Sequence, residues 1–308
     1  MILQELDIIE ILAQDKYLKL PTHAGKSKKK AFLSIKDRIR KRLAGWMNRL
    51  VSLAGREVLI KAVAQAIPTY AMSIFKLPKD LCSSIQAMIN CFWWSHDPDK
   101  RKIHWIDSAI LCKRKEDGGL GFRHLECFND ALLTKQVWRL IQDKGSLVAH
   151  IFKSKYYLAG DILSAELGSN PSCTWRSLHG VKWVIEKGSR WIVGDGCSLN
   201  AWKARWLPRP TSFTAMKGNH NLNPEMLVAG FIDKEAGCWR KDRVRQSFLP
   251  IDAKLILRIS LCTSSPADKL IWHFTSNGTF SVNSAYHLLR SLKRGGKPSS
   301  SNGTCQQL

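Results

Sequence analysis

The sequence contains no Asp-Asp dipeptide, no Cys-x-x-Cys pair, no closely spaced His pair and no run of about 18 apolar residues. Each absence excludes a class of function. A polymerase or nuclease that works with two metals holds them about 3.5–4 Å apart between paired carboxylates, and no such pair can be written here. The one Asp-x-Asp, Asp97-Pro98-Asp99, has a proline at its centre and a loop composition, which is the setting of solvated acids. Nine cysteines (Cys82, Cys91, Cys112, Cys127, Cys173, Cys197, Cys238, Cys262, Cys305) are scattered singly. They give neither a zinc knuckle nor a disulfide framework and read as reduced, buried thiols of an intracellular protein, in nucleus, cytoplasm or an organelle. The lack of a long apolar run excludes a membrane-spanning helix. The opening MILQELDIIEILAQD carries four acids and no Lys or Arg, unlike a signal or transit peptide. Gly118-Gly119-Leu120-Gly121 lacks the Lys-Ser/Thr of a phosphate loop and follows no strand, so it reads as a turn between helices. His104 and His124 read as surface or core-edge residues. No serine has a nucleophile-elbow context.

What the chain has is positive charge. Its 308 residues hold 48 Lys+Arg against 25 Asp+Glu, a net +23. Such a surface attracts polyanions, nucleic acid foremost; a ribosomal-type or membrane-surface protein shares the same charge, so charge alone does not settle the partner. The length corresponds to two domains or one large irregular one, and 44% apolar residues suffice for a core. Residues 16–61 carry fourteen Lys/Arg and only Asp37 and Glu57, about half of the whole excess. Within them KSKKKAFLSIKDRIRKRL has Phe32, Ile35, Ile39, Leu43 and Trp46 at spacings of three and four, the apolar stripe of a helix. Lys28, Lys29, Lys30, Lys36, Arg38, Arg40, Lys41 and Arg42 fill the remaining arc. A charged arc often serves solubility alone. The density here points further, to nucleic-acid contact.

Gly45 is expected to end or loosen that helix. A second is expected over 52–66, up to Pro68, and a third from Pro78 to about Trp94 with Leu81, Ile85, Met88, Ile89 and Phe92 on one face. Together they read as a bundle. Residues 102–160 continue helical, with a helix near 106–114 and a long one carrying Phe128, Leu132, Leu133, Val137, Leu140 and Ile141. Past about 170 the pattern turns to aromatic and β-branched runs. Gly194-Asp195-Gly196 and Asn277-Gly278 each lie between such runs and predict hairpins. Residues 207–225 read as loop. The fold class expected is mainly α in a bundle-like N-terminal half, with β-hairpins in the C-terminal half, α+β overall. Twelve tryptophans, Trp93, Trp94, Trp183, Trp191, Trp202 and Trp206 among them, suit a core better than base stacking, because most recur at helical or strand spacing.

The string PTHAGKSKKKAF, followed by IKDRIRKRLAGW and LAGREVLIKAVAQAIPTYAMSIFKLP, resembles the segment after the polymerase palm in plant LINE-type (non-LTR) retrotransposon reverse transcriptases. The resemblance continues in order through FWW at 92–94, KIHW at 102–105, CKRKEDGGLGFRHL, NDALLTKQVWRL at 129–140, TWRSLHG at 174–180, SRWIVGDG with AWKARWLP, and LIWHFTSNGTFSVNSAYHLL. It covers roughly 16–290, and the combination is more specific than any piece.

The resemblance implies a thumb and connector truncated before the zinc-binding and ribonuclease H regions, with the palm's Ala-Asp-Asp motif upstream. It implies a palm-to-thumb remnant at 1–25, a basic thumb-like unit at 26–95 and a helical connector at 96–160; composition adds a tryptophan-rich region with hairpins at 161–290 and a disordered, low-complexity tail at 291–308. Expected, then, is a fragment of an RNA-directed DNA polymerase without its catalytic carboxylates, inactive alone, that binds RNA or DNA through the backbone with the eight cations named above. No catalytic or metal-binding residue is expected, and no cofactor, Mg²⁺ belonging to the parent polymerase only. Two alternatives stand beside this: a non-functional product of a truncated element, and a tryptophan-rich protein-interaction scaffold.

Overall fold

A computed structural model of the chain describes residues 16–17, 20–21, 28–47, 51–94, 105–158, 160–209, 212–216, 223–233, 235–262 and 266–293. Most of the expected link at 1–25, the acids Asp97 and Asp99, His104, and the tail from 294 on lie outside them. In chain order the elements are β1 (Lys16–Tyr17), β2 (Leu20–Pro21), α1 (Lys28–Met47), α2 (Leu53–Leu59) with a following π-helical turn (Ile60–Ala64), α3 (Thr69–Met72), α4 (Lys79–Trp94) and α5 (Ser108–Leu111). Then come α6 (Leu125–Gln142), α7 (Leu147–Tyr156), α8 (Cys173–His179), α9 (Lys182–Gly188), β3 (Ser189–Ile192), β4 (Ile232–Asp233), β5 (Cys238–Trp239), α10 (Lys241–Ser247), α11 (Pro250–Ile256), β6 (Lys269–Trp272) and α12 (Val282–Lys293). Helix dominates and the strands form short antiparallel pairs, the mainly α, α+β character expected. No described helix is long and apolar enough to cross a membrane.

The chain divides into two compact units, residues 1–136 with 166–179 and residues 137–165 with 180–308. In the first, Phe32, Ile35, Ile39 and Leu43 of α1 are at most 4% exposed, as the stripe predicts. Leu81, Ile85, Ile89 and Phe92 of α4 are buried too, and Trp46 meets Phe92 at 5.9 Å between ring centroids. Gly45 does not end α1, which runs on to Met47. A mid-helix glycine costs about 1 kcal/mol, and the Trp46–Phe92 contact beyond it offsets that. The helix expected over 52–66 is also not continuous. Gln65 N–H reaches back five residues to Ile60 O (2.9 Å), the π pattern, and Ile60 and Ala64 become fully buried at that wider turn.

Two buried polar side chains lock this unit. The Arg56 guanidinium, 3% exposed, donates to the carbonyls of Phe92 and Trp93 (3.4 and 3.3 Å), which the end of α4 leaves without helical partners. Asn129 on α6 accepts from Leu77 N–H (2.8 Å) and donates to Met72 and Phe75 carbonyls (2.7 and 2.9 Å), holding the turn after α3.

The second unit is built on aromatic rings. Trp202, Trp206, Trp239, Phe231 and Phe248 share one cluster, with Trp206 stacked on Trp239 (5.9 Å) and Trp202 at 4.7 Å from Phe248. Neither hairpin lies where the turn residues predict. After β3 the Gly194-Asp195-Gly196 turn leads into loop, and β3 pairs instead with β6 from far along the chain, Ser189 opposite Trp272 and Ile192 opposite Lys269. Gly278 does take the left-handed conformation (φ +68°), but its carbonyl accepts from Trp272 N–H (2.8 Å), and α12 follows where a strand was expected. Among the described residues of this half, a hairpin is formed by β4–β5, with Ile232 opposite Trp239. Alternation marks a strand without naming its partner: β3 pairs far along the chain, and the local return at Asn277-Gly278 is made by the Trp272–Gly278 bond without a second strand.

Candidate nucleic-acid interface

Helix α1 carries its cations on two flanks. Arg38, Lys41 and Arg42 stand at i, i+3 and i+4 and therefore share one flank; Lys36 and Arg40, at i and i+4, share another. The buried stripe lies between them and fixes the helix, so both flanks are held at a set angle to the unit. Arg38, Lys41 and Arg42 are exposed and, among the described residues, make no ion pair. Arg40 differs: its guanidinium lies 3.3 Å from the Asp37 carboxylate. Lys36 is half-buried. The helix backbone includes Lys28, Lys29 and Lys30, whose side chains lie outside the described set. The eight cations of the sequence reading thus separate into a clear trio, a partly engaged pair and three basic residues at the helix start.

The trio opens onto a recess of about 480 Å³ lined by Arg38, Lys41, Arg42, Val63 and Ile67. Val63 and Ile67 are half-buried and one turn apart, tied by the Ile67 N–H to Val63 O bond (3.0 Å). Nothing in the sequence pattern pointed to these two. They sit at and just beyond the π turn, where a regular helix was expected.

Three other lysines of this unit are engaged by acids. Glu57 is gripped by Lys61 and Lys115, each at 2.7 Å, and the Lys115 and Lys61 contacts hold its carboxyl below the usual carboxylate range despite some burial. Lys76 lies 3.1 Å from Asp130. A guanidinium presents a planar fork that matches a phosphate, whereas a lysine engaged by carboxylates has less to offer. Among the described residues, the trio of α1 is a cluster of exposed cations on one flank without an ion pair.

The other motifs resolve as structure. In the glycine turn, Gly119 N–H and Gly121 N–H donate to Arg114 O and Lys113 O (2.9 and 2.8 Å), so those amides are spent within the turn rather than aimed at a phosphate. Among the described residues no group of three or more His, Cys, Asp or Glu side chains is arranged to hold a metal. Cys82, Cys112 and Cys127 are buried as expected, but Cys197, Cys238 and Cys262 are exposed. Trp202 and Trp206 are core residues whose indole N–H groups reach Asn223 O and Ala201 O (2.9 and 3.1 Å). Trp105 and Trp183, by contrast, are 78% and 41% exposed.

No protein-family model matches the chain. Over 277 residues it is 31% identical to an Arabidopsis thaliana protein named "Putative ribonuclease H protein At1g65750", an alignment covering 88% of this chain and 44% of that one. The chain therefore spans less than half the length of that relative. Over 143 residues, 46% of this chain, it is 41% identical to the Arabidopsis thaliana "Uncharacterized mitochondrial protein AtMg00310", of which the alignment covers 93%.

Proposed function

The chain belongs to the plant family that includes the Arabidopsis mitochondrial protein AtMg00310, and from that premise we propose that it is a retroelement-derived, non-catalytic binder of nucleic-acid backbones. Its segment corresponds to the thumb and connector of a LINE-type reverse transcriptase. A relative bearing the name ribonuclease H is in keeping with nucleic acid as the ligand.

The observation that carries the reading is the trio on α1: three exposed cations on one flank of a helix anchored by four buried apolar residues, none of the three in an ion pair among the described residues. Such a flank contacts phosphates without reading base edges, as a thumb does when it holds a template–primer duplex. Binding needs no metal and no cofactor; the duplex or single strand, RNA or DNA, is the partner.

The test is fluorescence anisotropy of a labelled RNA–DNA duplex and a single strand of unrelated sequences across a salt series. If about four to six side chains neutralise phosphates, counterion release gives a log–log slope of about −3 to −5, nearly equal for all sequences and unchanged by chelator. A slope near zero, or affinity confined to one sequence, would overturn the proposal. Primer extension with Mg²⁺ or Mn²⁺ and cleavage of an RNA–DNA hybrid should both stay at the level of a heat-killed control, because the paired carboxylates are missing from the sequence.

A further inference from the structure

The recess beside α1 has two walls of different chemistry. On one side stand Arg38, Lys41 and Arg42; on the other, Val63 and Ile67 leave apolar surface open to solvent. A plain phosphate-binding ridge would need only the first wall. We propose that the recess receives one unpaired nucleotide at the end of a strand, its base against Val63 and Ile67 and its phosphate on the cations, so that the protein prefers a duplex with an unpaired terminal nucleotide over a blunt one. This rests on the backbone-binding reading and adds what that reading does not contain, a preference among nucleic-acid shapes.

The chemistry favours an unpaired base over a paired one. Inside a duplex both faces of a base are covered by its neighbours and only its edges are accessible, in the grooves. Arg and Lys donors can by themselves read a guanine edge, but among the described lining residues Val63 and Ile67 offer an edge nothing to bond. An unpaired base offers a broad apolar face. That face can lie on aliphatic side chains, and a guanidinium can stack on it, a sequence-tolerant contact because every base has such a face. The volume, about 480 Å³, falls toward the small end of the range of about 300–1,000 Å³ for small-molecule sites, the scale of one nucleotide rather than a helix. The occupant is taken as part of a strand rather than a free mononucleotide because the cations of the recess are those of the backbone-binding trio, Arg38, Lys41 and Arg42.

The test uses the full chain and three short duplexes labelled alike: a blunt one, one with a single unpaired terminal nucleotide, and one in which that same nucleotide is paired. The third controls for the added phosphate. The unpaired end should bind about five- to tenfold more tightly than either blunt duplex. In Val63→Ser/Ile67→Ser this preference should vanish while the blunt duplexes keep their affinity and salt slope. A fluorescent adenine analogue at the unpaired position should change its emission on binding to the unaltered protein, and the same analogue placed inside the duplex should not, a readout independent of whether the variant folds. Equal affinity for all three duplexes, or a preference that survives in the double variant, would overturn the inference and leave backbone binding intact. Free adenosine monophosphate binding as tightly as the unpaired end would reassign the recess to free nucleotides and overturn it too. Failure of the unaltered protein to bind any duplex would instead defeat the backbone reading itself.

Discussion

Asp268 accepts two hydrogen bonds from Ser198, one from its amide at 3.1 Å and one from its hydroxyl at 2.6 Å. The same carboxylate takes the amides of Gly194 and Gly196 at 2.8 and 3.0 Å, so a side chain just before β6 organises the loop just after β3. Gly194 has to be glycine for this to happen, since a Cβ there would overlap the Pro266 carbonyl. The turn that composition marks as a hairpin is thus shaped by an acid some seventy residues away, and it supports the β3–β6 pairing rather than a local one.

Asp268→Ala should lower the thermal midpoint, with a loss on the order of 2 kcal/mol as the loop amides lose a charged acceptor. Burial alone would raise the Asp268 carboxyl, but the bonds from Ser198, Gly194 and Gly196 outweigh it and hold the group below the usual carboxylate range. A depressed folded-state value means that this contribution is present above about pH 4 and lost as the pH falls through the folded-state value. Thermal melts across the acid range should show a shallower acid limb in the variant. An unchanged limb would remove Asp268 from the account.

His273 titrates in a different window. Burial first, and the Arg190 charge second, lower it to about 4, and Arg190 Nε donates to its Nδ1 at 3.3 Å beside the Phe213 ring. The unfolded chain binds this proton near pH 6.5 while the folded one refuses it until about 4, so stability falls as the pH drops through that interval and is complete above it. Denaturant midpoints between pH 7 and 4 should fall in the unaltered protein and fall less in His273→Gln. Equal pH dependence in the two would show that the folded imidazole takes up its proton over the same range as the unfolded one.

Asn129→Ala should destabilise the first unit by on the order of 3 kcal/mol, since three backbone groups of the 72–77 turn lose their buried partner. Asn129→Asp removes the two donors while keeping the acceptor for Leu77 N–H, and it turns an oxygen toward two carbonyls. It should destabilise at least as much. Chemical denaturation measures both, and an aspartate variant as stable as the original would mean the turn is held by packing alone.

The two flanks of α1 should be unequal. Arg38→Gln/Lys41→Gln/Arg42→Gln is expected to flatten the salt slope of duplex binding by about 2–3 units, while Lys36→Gln/Arg40→Gln flattens it by about 1 or less, because Arg40 already faces Asp37. Neither set should move the thermal midpoint much, as exposed charges contribute little to folding. Equal flattening by the two sets would shift the interface to the whole exposed arc of the helix.

Helix α1 was legible in the sequence over most of its length, although it runs past Gly45 to Met47. Its apolar positions recur with the helical period, and any fold that buries Phe32, Ile35, Ile39 and Leu43 together must leave the intervening Lys and Arg in solvent. The same holds for the buried face of α4. Local periodicity contains the burial, so no partner needs to be known. The cationic character of the interface follows from that alone. Which cations act together does not: Arg38, Lys41 and Arg42 are set apart from Arg40 by the Asp37 pairing and by Val63 and Ile67, brought against α1 through a π turn that no propensity announces. The pairing of β3 with β6 was equally hidden. Sequence pattern shows that each strand has an apolar face to cover, but the choice among partners is made by long-range contacts, the Asp268 bonds to the 194–198 loop and the Trp138 and Phe280 rings around Trp272. The sequence by itself determined a basic, mainly helical protein with one anchored cationic helix, because charge and periodicity are local properties. Only the tertiary structure decided where that helix opens onto a recess and which strands meet, because both depend on residues far apart in the chain arriving at the same place.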